Sequence, residues 1–141
     1  MSRENAELVQ KAVAALNEAY AEDDVAPWRR HVERHVDPEA VLDAGADAFT
    51  EGHWRGQDGA IGFVANQMEV LKEMWLRLDE LIELDQDRFV VAITFGGKAR
   101  HTSIPVELHP FHAFRLRDGR VLEWRIFRKR DEALEALGPA E

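Results

Sequence analysis

Residues 111–130 read FHAFRLRDGRVLEWRIFRKR, and this stretch decides the fold class. Asp118-Gly119 is a two-residue signal for a tight turn between antiparallel strands. The runs on both sides, 106–117 and 120–128, are rich in the β-branched, aromatic and leucine residues that favour strands. Two earlier runs share this composition, 76–84 and 89–100. The carboxy-terminal half therefore predicts consecutive strands joined by turns.

The amino-terminal half has the period of helices instead. One apolar stripe covers the first segment, and Pro27 suits the first turn of a second helix that Asp37-Pro38 ends. A third stripe consists of Ile61, Val64, Met68, Leu71 and Trp75. A short helix is expected over 131–137. The pattern predicts one α+β domain over 1–141, with three amino-terminal helices packed on a mixed or antiparallel sheet.

The composition excludes several classes of partner. Eighteen basic and 27 acidic residues give a formal net charge of −9, which disfavours nucleic acid and anionic membrane surfaces. No apolar run is long enough to span a membrane, and the amino terminus lacks a signal-peptide pattern. The chain has no cysteine, which excludes disulfides and thiolate chemistry. A cytoplasmic protein is expected.

Both faces of the predicted strands carry apolar side chains. The helices can cover one face, and the other would remain exposed without a partner. We therefore expect a homodimer that buries the outer-face residues Val90, Ala92, Phe111, Ala113 and Phe127.

Four segments carry a resemblance to a known family. They are ENAELVQKAVAALNEAY (4–20), HVDPEAVLD (35–43), HWRGQDGAIGFV (53–64) and FHAFRLRDGRVLEWRIFRKRDEALEALG (111–138). In this order they resemble the nuclear transport factor 2-like superfamily, and within it the SnoaL-like group that includes polyketide cyclases and ketosteroid isomerases. The resemblance implies a cone-shaped α+β fold whose curved sheet leaves a pocket for a small apolar molecule.

The resemblance also implies roles for individual positions. Asp43 stands where ketosteroid isomerases have their general base, and His112 where they have an acid that hydrogen-bonds the substrate oxyanion. Two departures accompany these matches. Ala12 replaces a tyrosine of the isomerases, and Ile126 replaces the catalytic aspartate of the SnoaL-like cyclases.

The remaining candidates are pocket-wall residues. Strand alternation places His112 on the same face as Phe114, and on the opposite face from His109. The expected substrate-binding set is Trp54, His53, Met68, Phe95, Phe114, Trp124 and Ile126. His31 and His35 have the i, i+4 spacing of zinc ligands, but the sequence places no third ligand near them. No metal and no cofactor are predicted, since phosphate-binding glycine motifs are also absent.

Two functions follow from these residues. The first is a cofactor-independent isomerase, cyclase, dehydratase or hydrolase that acts on a small apolar carbonyl or hydroxyl compound through Asp43 and His112. The alternative is a non-catalytic module of the same fold that binds a small hydrophobic ligand or dimerises. Polar groups that converge on an apolar cavity would favour the enzyme.

Overall fold

The computed structural model describes residues 3–44 and 52–139. The helices are α1 (Arg3–Glu22), α2 (Ala26–His35), α3 (Gly56–Val70) and α4 (Arg130–Leu137). The strands are β1 (Val36–Ala44), β2 (Gly52–Arg55), β3 (Leu71–Asp85), β4 (Arg88–Ala99), β5 (Pro105–Leu108), β6 (Phe111–Arg117) and β7 (Arg120–Phe127). None of the described helices is long and apolar enough to cross a membrane.

The described strands form one mixed seven-stranded sheet. Its order is β2-β1-β7-β6-β4-β3, and β5 pairs with the carboxy-terminal half of β4. The β1–β7 pair is parallel, whereas the other pairs are antiparallel. The prediction of an α+β fold is confirmed, and of the two predicted sheet types, mixed or antiparallel, the structure has the mixed one.

The helices α1, α2 and α3 lie against the inner face of this sheet, where the main core forms. Phe89 from the sheet, Val32 from α2 and Val64 from α3 are among the most deeply buried side chains. The indole N–H of Trp28 donates to the carbonyl of Ala60 at 3.0 Å, which joins α2 to α3. The inner face is therefore covered by helices that enclose the candidate site.

The predicted position of the third helix needs two corrections. First, α3 follows β1 and β2, so two helices rather than three precede the sheet. Second, α3 ends at Val70, since the backbone of Leu71 is extended, and the Arg100 guanidinium satisfies the carbonyls of Met68 and Leu71 at this end. Trp75 consequently lies on β3, 40% exposed, and its indole packs on Gly96, where an added Cβ would be only 2.5 Å from the ring.

The outer face of the sheet is partly covered by the chain itself. Ala133 and Leu137 of α4 pack on Val90 and Ala113, which are both fully buried. The expectation that these two outer residues need a second subunit to cover them is wrong. Phe111 and Phe127 remain half-buried beside them.

A β-bulge sets the register of the β6–β7 hairpin. Next to the Asp118-Gly119 turn, Leu116 faces Val121, but one step further Arg115 faces Glu123, so Leu122 is the extra residue. The shift turns Trp124 to the inner face, opposite Phe114. Without the bulge, strand alternation would leave the Trp124 indole outside.

Candidate ligand-binding site

Two adjoining cavities lie between the helices and the inner face of the sheet. The inner chamber, of about 70 Å³, is bounded by α1, α2 and the middle of the sheet. The outer chamber, of about 130 Å³, is bounded by α1, α3, the β5–β6 turn and the end of β7. The side chains that border both chambers are Leu16, Leu76, Ile93, His112 and Trp124.

His112 is held by a single hydrogen bond from the neighbouring strand. In the β6–β7 register His112 is diagonal to Trp124, and the Trp124 Nε1–H donates to His112 Nδ1 at 2.8 Å. Because Nδ1 accepts this bond, the proton of the neutral imidazole is on Nε2. Burial lowers the pKa of His112 from 6.5 to about 4, so the ring is neutral near pH 7. His112 therefore presents an Nε2–H donor and has no free basic nitrogen.

Aromatic rings surround this pair. Trp124 stacks on Phe114 with a centroid distance of 5.6 Å, and Phe63 meets Trp124 edge-on at 5.7 Å. Trp28 contacts the same indole at 6.0 Å. These contacts fix the Trp124 ring, and through its N–H they fix the orientation of His112.

The inner chamber is apolar apart from two imidazoles. Besides His112, its polar side chain is His31 of α2, which stacks on Trp28 at 5.2 Å. Burial, assisted by the positive charges of His35 and Lys11, lowers the pKa of His31 to about 4. The indole N–H groups of Trp28 and Trp124 already have acceptors. A molecule in this chamber therefore meets neutral groups alone among the described residues.

The outer chamber has a more polar lining. Gln67 of α3 and Arg128 after β7 border it, together with the turn residue His109 and the buried Tyr20. Burial raises the pKa of Tyr20 well above its usual value, so the phenol remains protonated. The exposure of Arg128 and His109 marks this side as the route to solvent.

The structure corrects the prediction that His109 and His112 lie on opposite faces of one strand. His109 lies in the β5–β6 turn rather than in a strand, so both His109 and His112 border the outer chamber. The His109 Nδ1 is 3.1 Å from Thr94 Oγ1, and its Nε2 is 3.2 Å from a Glu107 carboxylate oxygen. Both ring nitrogens thus have partners away from the chamber.

The structure brings most of the predicted strand residues together around the chambers. Those that border at least one chamber are His112, Phe95, Phe114, Trp124 and Ile126. Ala12 borders the inner chamber as well. The two positions where the resemblance replaces a polar group with an apolar residue are therefore part of the cavity wall.

Asp43 lies elsewhere, so the predicted pocket shared by Asp43 and His112 is wrong in its geometry. Leu42 and Ala44 face inward beside Trp124 and Ile126, and strand alternation turns Asp43 to the outer face of the sheet. Its carboxylate is 41% exposed and 3.5 Å from His53 Nδ1, whose side chain is 76% exposed. Neither residue borders a chamber.

Two further predicted wall residues are not at the chambers. Trp54 packs on Phe63 at 5.9 Å and against Gly59 and Gly62, and Met68 borders a surface groove beside Arg100. Sequence reasoning missed α3 residues that do face the outer chamber: Phe63, Val64 and Gln67. The i, i+4 spacing of Phe63 and Gln67 was the available signal.

No group of three or more metal-binding side chains occurs within residues 3–44 and 52–139. His31 and His35 do adjoin, with ring centroids 4.6 Å apart. The described chamber linings offer apolar contact, N–H donors on His112, Gln67 and Arg128, and acceptors on His31, Gln67 and Tyr20.

Acid should destabilise the fold through its buried histidines. Between pH 6.5 and 4 the unfolded chain protonates His31 and His112, whereas the folded chain does not, so the free energy of unfolding falls as the pH drops. Each group contributes a loss on the order of 2–3 kcal/mol by pH 4. Urea unfolding at pH 7 and pH 4.5 measures this. We expect a smaller pH dependence in His112→Phe and an unchanged one in the exposed control His101→Phe; equal slopes in both would contradict the assignment.

Comparison with known proteins places the fold. No protein-family model matches the chain, and no curated protein matches it significantly. A nuclear transport factor 2-like protein of unknown function from Burkholderia pseudomallei is 23% identical, with a TM-score of 0.70 over 98% of this chain and 99% of that one. A putative SnoaL-like polyketide cyclase from Jannaschia is 20% identical, with a TM-score of 0.70 over 96% and 94%. A Catenulispora acidiphila protein with a ketosteroid isomerase-like fold, solved with trimethylamine, is 12% identical, with a TM-score of 0.70 over 94% and 93%. Over nearly its whole length the chain therefore has the nuclear transport factor 2-like fold, as its sequence predicts.

Proposed function

We propose that this protein binds a small apolar molecule that carries one hydrogen-bond acceptor, and that it does so without cofactor. The observation that supports this is His112, which Trp124 holds, which borders both chambers and which carries its proton on Nε2 among mostly apolar side chains. A carbonyl or ether oxygen placed there satisfies the imidazole, while the rest of the molecule replaces water on apolar surface.

The chamber volumes limit the size of this molecule. An empty apolar cavity of about 150 Å³ accommodates benzene, and typical ligand pockets have about 300–1,000 Å³. The chambers, at about 70 and 130 Å³, suit one ring and a short substituent rather than a steroid. The trimethylamine found with a protein of the same fold is smaller still.

A double comparison of ligands and variants tests the proposal. Acetophenone and ethylbenzene have similar shapes, but acetophenone alone has an acceptor. We expect His112→Phe to weaken acetophenone binding about tenfold and to change ethylbenzene binding much less, because the lost interaction is one buried hydrogen bond. Isothermal titration calorimetry measures both affinities, with His101→Phe as the control. Equal weakening of the two ligands would contradict a donor role for His112.

Catalysis is the second candidate, and one observation favours it. A neutral imidazole donor at an apolar cavity can stabilise the oxyanion of an enolate, as the resemblance to isomerases implies for this position. The missing part is a strong base: no carboxylate borders either chamber in the part of the chain that the structure describes, and burial lowers the pKa of the lining imidazole of His31 to about 4. The Nδ1 lone pair of His112 is also occupied by the Trp124 N–H.

Exchange of α-deuterium from labelled acetophenone in water separates binding from catalysis. We expect no exchange above the buffer rate at ligand saturation, because the described lining has no carboxylate and the lowered pKa of His31, about 4, makes its imidazole a weak base. Enzymatic exchange that falls about 10²–10³-fold in His112→Phe, and stays unchanged in Asp43→Asn, would support catalysis through the donor alone. A fall in Asp43→Asn would restore Asp43 as the base.

We also propose that the chain forms a homodimer through the remaining outer face. The half-buried Phe111 and Phe127 support this, beside an Arg130 guanidinium that lies 5.8 Å from the Phe111 ring centre and pairs with Glu80. Light scattering at micromolar concentration should give twice the 16.1 kDa chain mass, and Phe127→Glu should halve it. A monomer in the unaltered protein would contradict this.

A further inference from the structure

The two chambers differ in the polar residues of their lining. This difference determines which end of an elongated ligand fits each chamber. The inner chamber offers apolar walls and the neutral imidazoles of His31 and His112. The outer chamber adds Gln67 and Arg128, with Arg128 on the solvent side. A molecule that spans both chambers therefore passes from apolar surface, past one donor at His112, to a polar opening.

The polar groups along this path match an acceptor-rich end group. His112 offers Nε2–H, Gln67 offers an amide NH₂, and Arg128 offers guanidinium N–H groups. Among the described lining residues no carboxylate opposes them, although the whole chain has a net charge of −9. Arg128 has another interaction of its own, but its five N–H donors can serve two acceptors.

We propose that the ligand is a small monocarboxylate with a short alkyl group at one end and a carbonyl between the two. The alkyl group lies in the inner chamber, whose volume of about 70 Å³ is too small for a ring. The carbonyl accepts from His112 Nε2–H, and the carboxylate lies at the outer opening near Gln67 and Arg128. This assignment rests on the proposed binding function and specifies its ligand class. Charge-assisted bonds at the opening make the carboxylate the preferred end group over an alkyl group.

The probes are 4-oxoheptanoate, which has all three features, and 4-heptanone, which has a methyl group in place of the carboxylate. Calorimetry with the full chain gives both affinities in each variant. Arg128→Gln removes the cation, and the near-isosteric Gln67→Glu places a carboxylate at the opening. Each should weaken the keto acid about tenfold and change 4-heptanone less than about twofold.

Matched controls separate a local contact from the overall charge. Arg29→Gln on exposed α2 and Gln10→Glu on exposed α1 alter the net charge by the same amounts away from the chambers. Both should leave the two affinities within about twofold of the unaltered protein. If Arg128→Gln and Arg29→Gln weaken the keto acid equally, the carboxylate is not held at the opening and the inference is overturned.

The two levels of proposal fail in different ways. If 4-heptanone binds through His112 while the affinity for the keto acid is unchanged by Arg128→Gln and Gln67→Glu, the carboxylate assignment is wrong and the binding function stands. If neither probe binds, or neither responds to His112→Phe, the binding function fails and the assignment fails with it.

Discussion

The hydrogen bond from Trp124 Nε1–H to His112 Nδ1 is the constraint on which the site depends. Leaving either the indole N–H or the imidazole nitrogen without a hydrogen-bond partner in this apolar setting would cost about 1–3 kcal/mol of folding free energy. Each residue therefore supplies the partner that the other needs. The bond also selects the tautomer of His112 and thereby decides that its second ring nitrogen carries a proton rather than a lone pair. It exists because the bulge at Leu122 turns Trp124 inward. One extra residue in a strand therefore determines the chemistry that the cavity can offer.

This arrangement limits what the fold can do here. A pKa of about 4 leaves His112 neutral near pH 7, and its Nδ1 lone pair is already used, so it is a donor and a poor base. The positions at which the resemblance expects further polar groups are Ala12 and Ile126, and both are cavity wall. Replacing polar groups with apolar ones avoids desolvation costs and favours ligand affinity over proton transfer. The cavity is thus better suited to hold an oxygen acceptor than to move a proton.

The sequence predicts the strands and their residues, but the face on which each side chain lies depends on the register between paired strands. The strand composition and the Asp118-Gly119 turn predicted the hairpin, and alternation placed His112 beside Phe114. The sequence analysis also predicts Trp124 and Ile126 on the inner face. Strand alternation counted from the two-residue turn would place them on the outer face, because no local sequence feature indicates the bulge. For Asp43 the prediction of an inward-facing side chain is wrong. The direction of that side chain depends on which β1 residues pair with Trp124 and Ile126, and the residues around Asp43 do not indicate this long-range pairing.

The charge distribution completes the argument about selectivity. On the surface, Arg130 donates to Glu80 and keeps the pKa of that carboxyl group below its usual range. The buried Asp37 accepts from the backbone N–H of Glu39 and from Arg117, and these hydrogen bonds lower its pKa, the backbone bond most. The described chamber linings have donors and no carboxylate. The acidic surface therefore attracts cations through its long-range field, which affects encounter rates, whereas the described chamber linings offer a cation no carboxylate. Inside the chambers, the group that the His112 Nε2–H can satisfy is an acceptor oxygen.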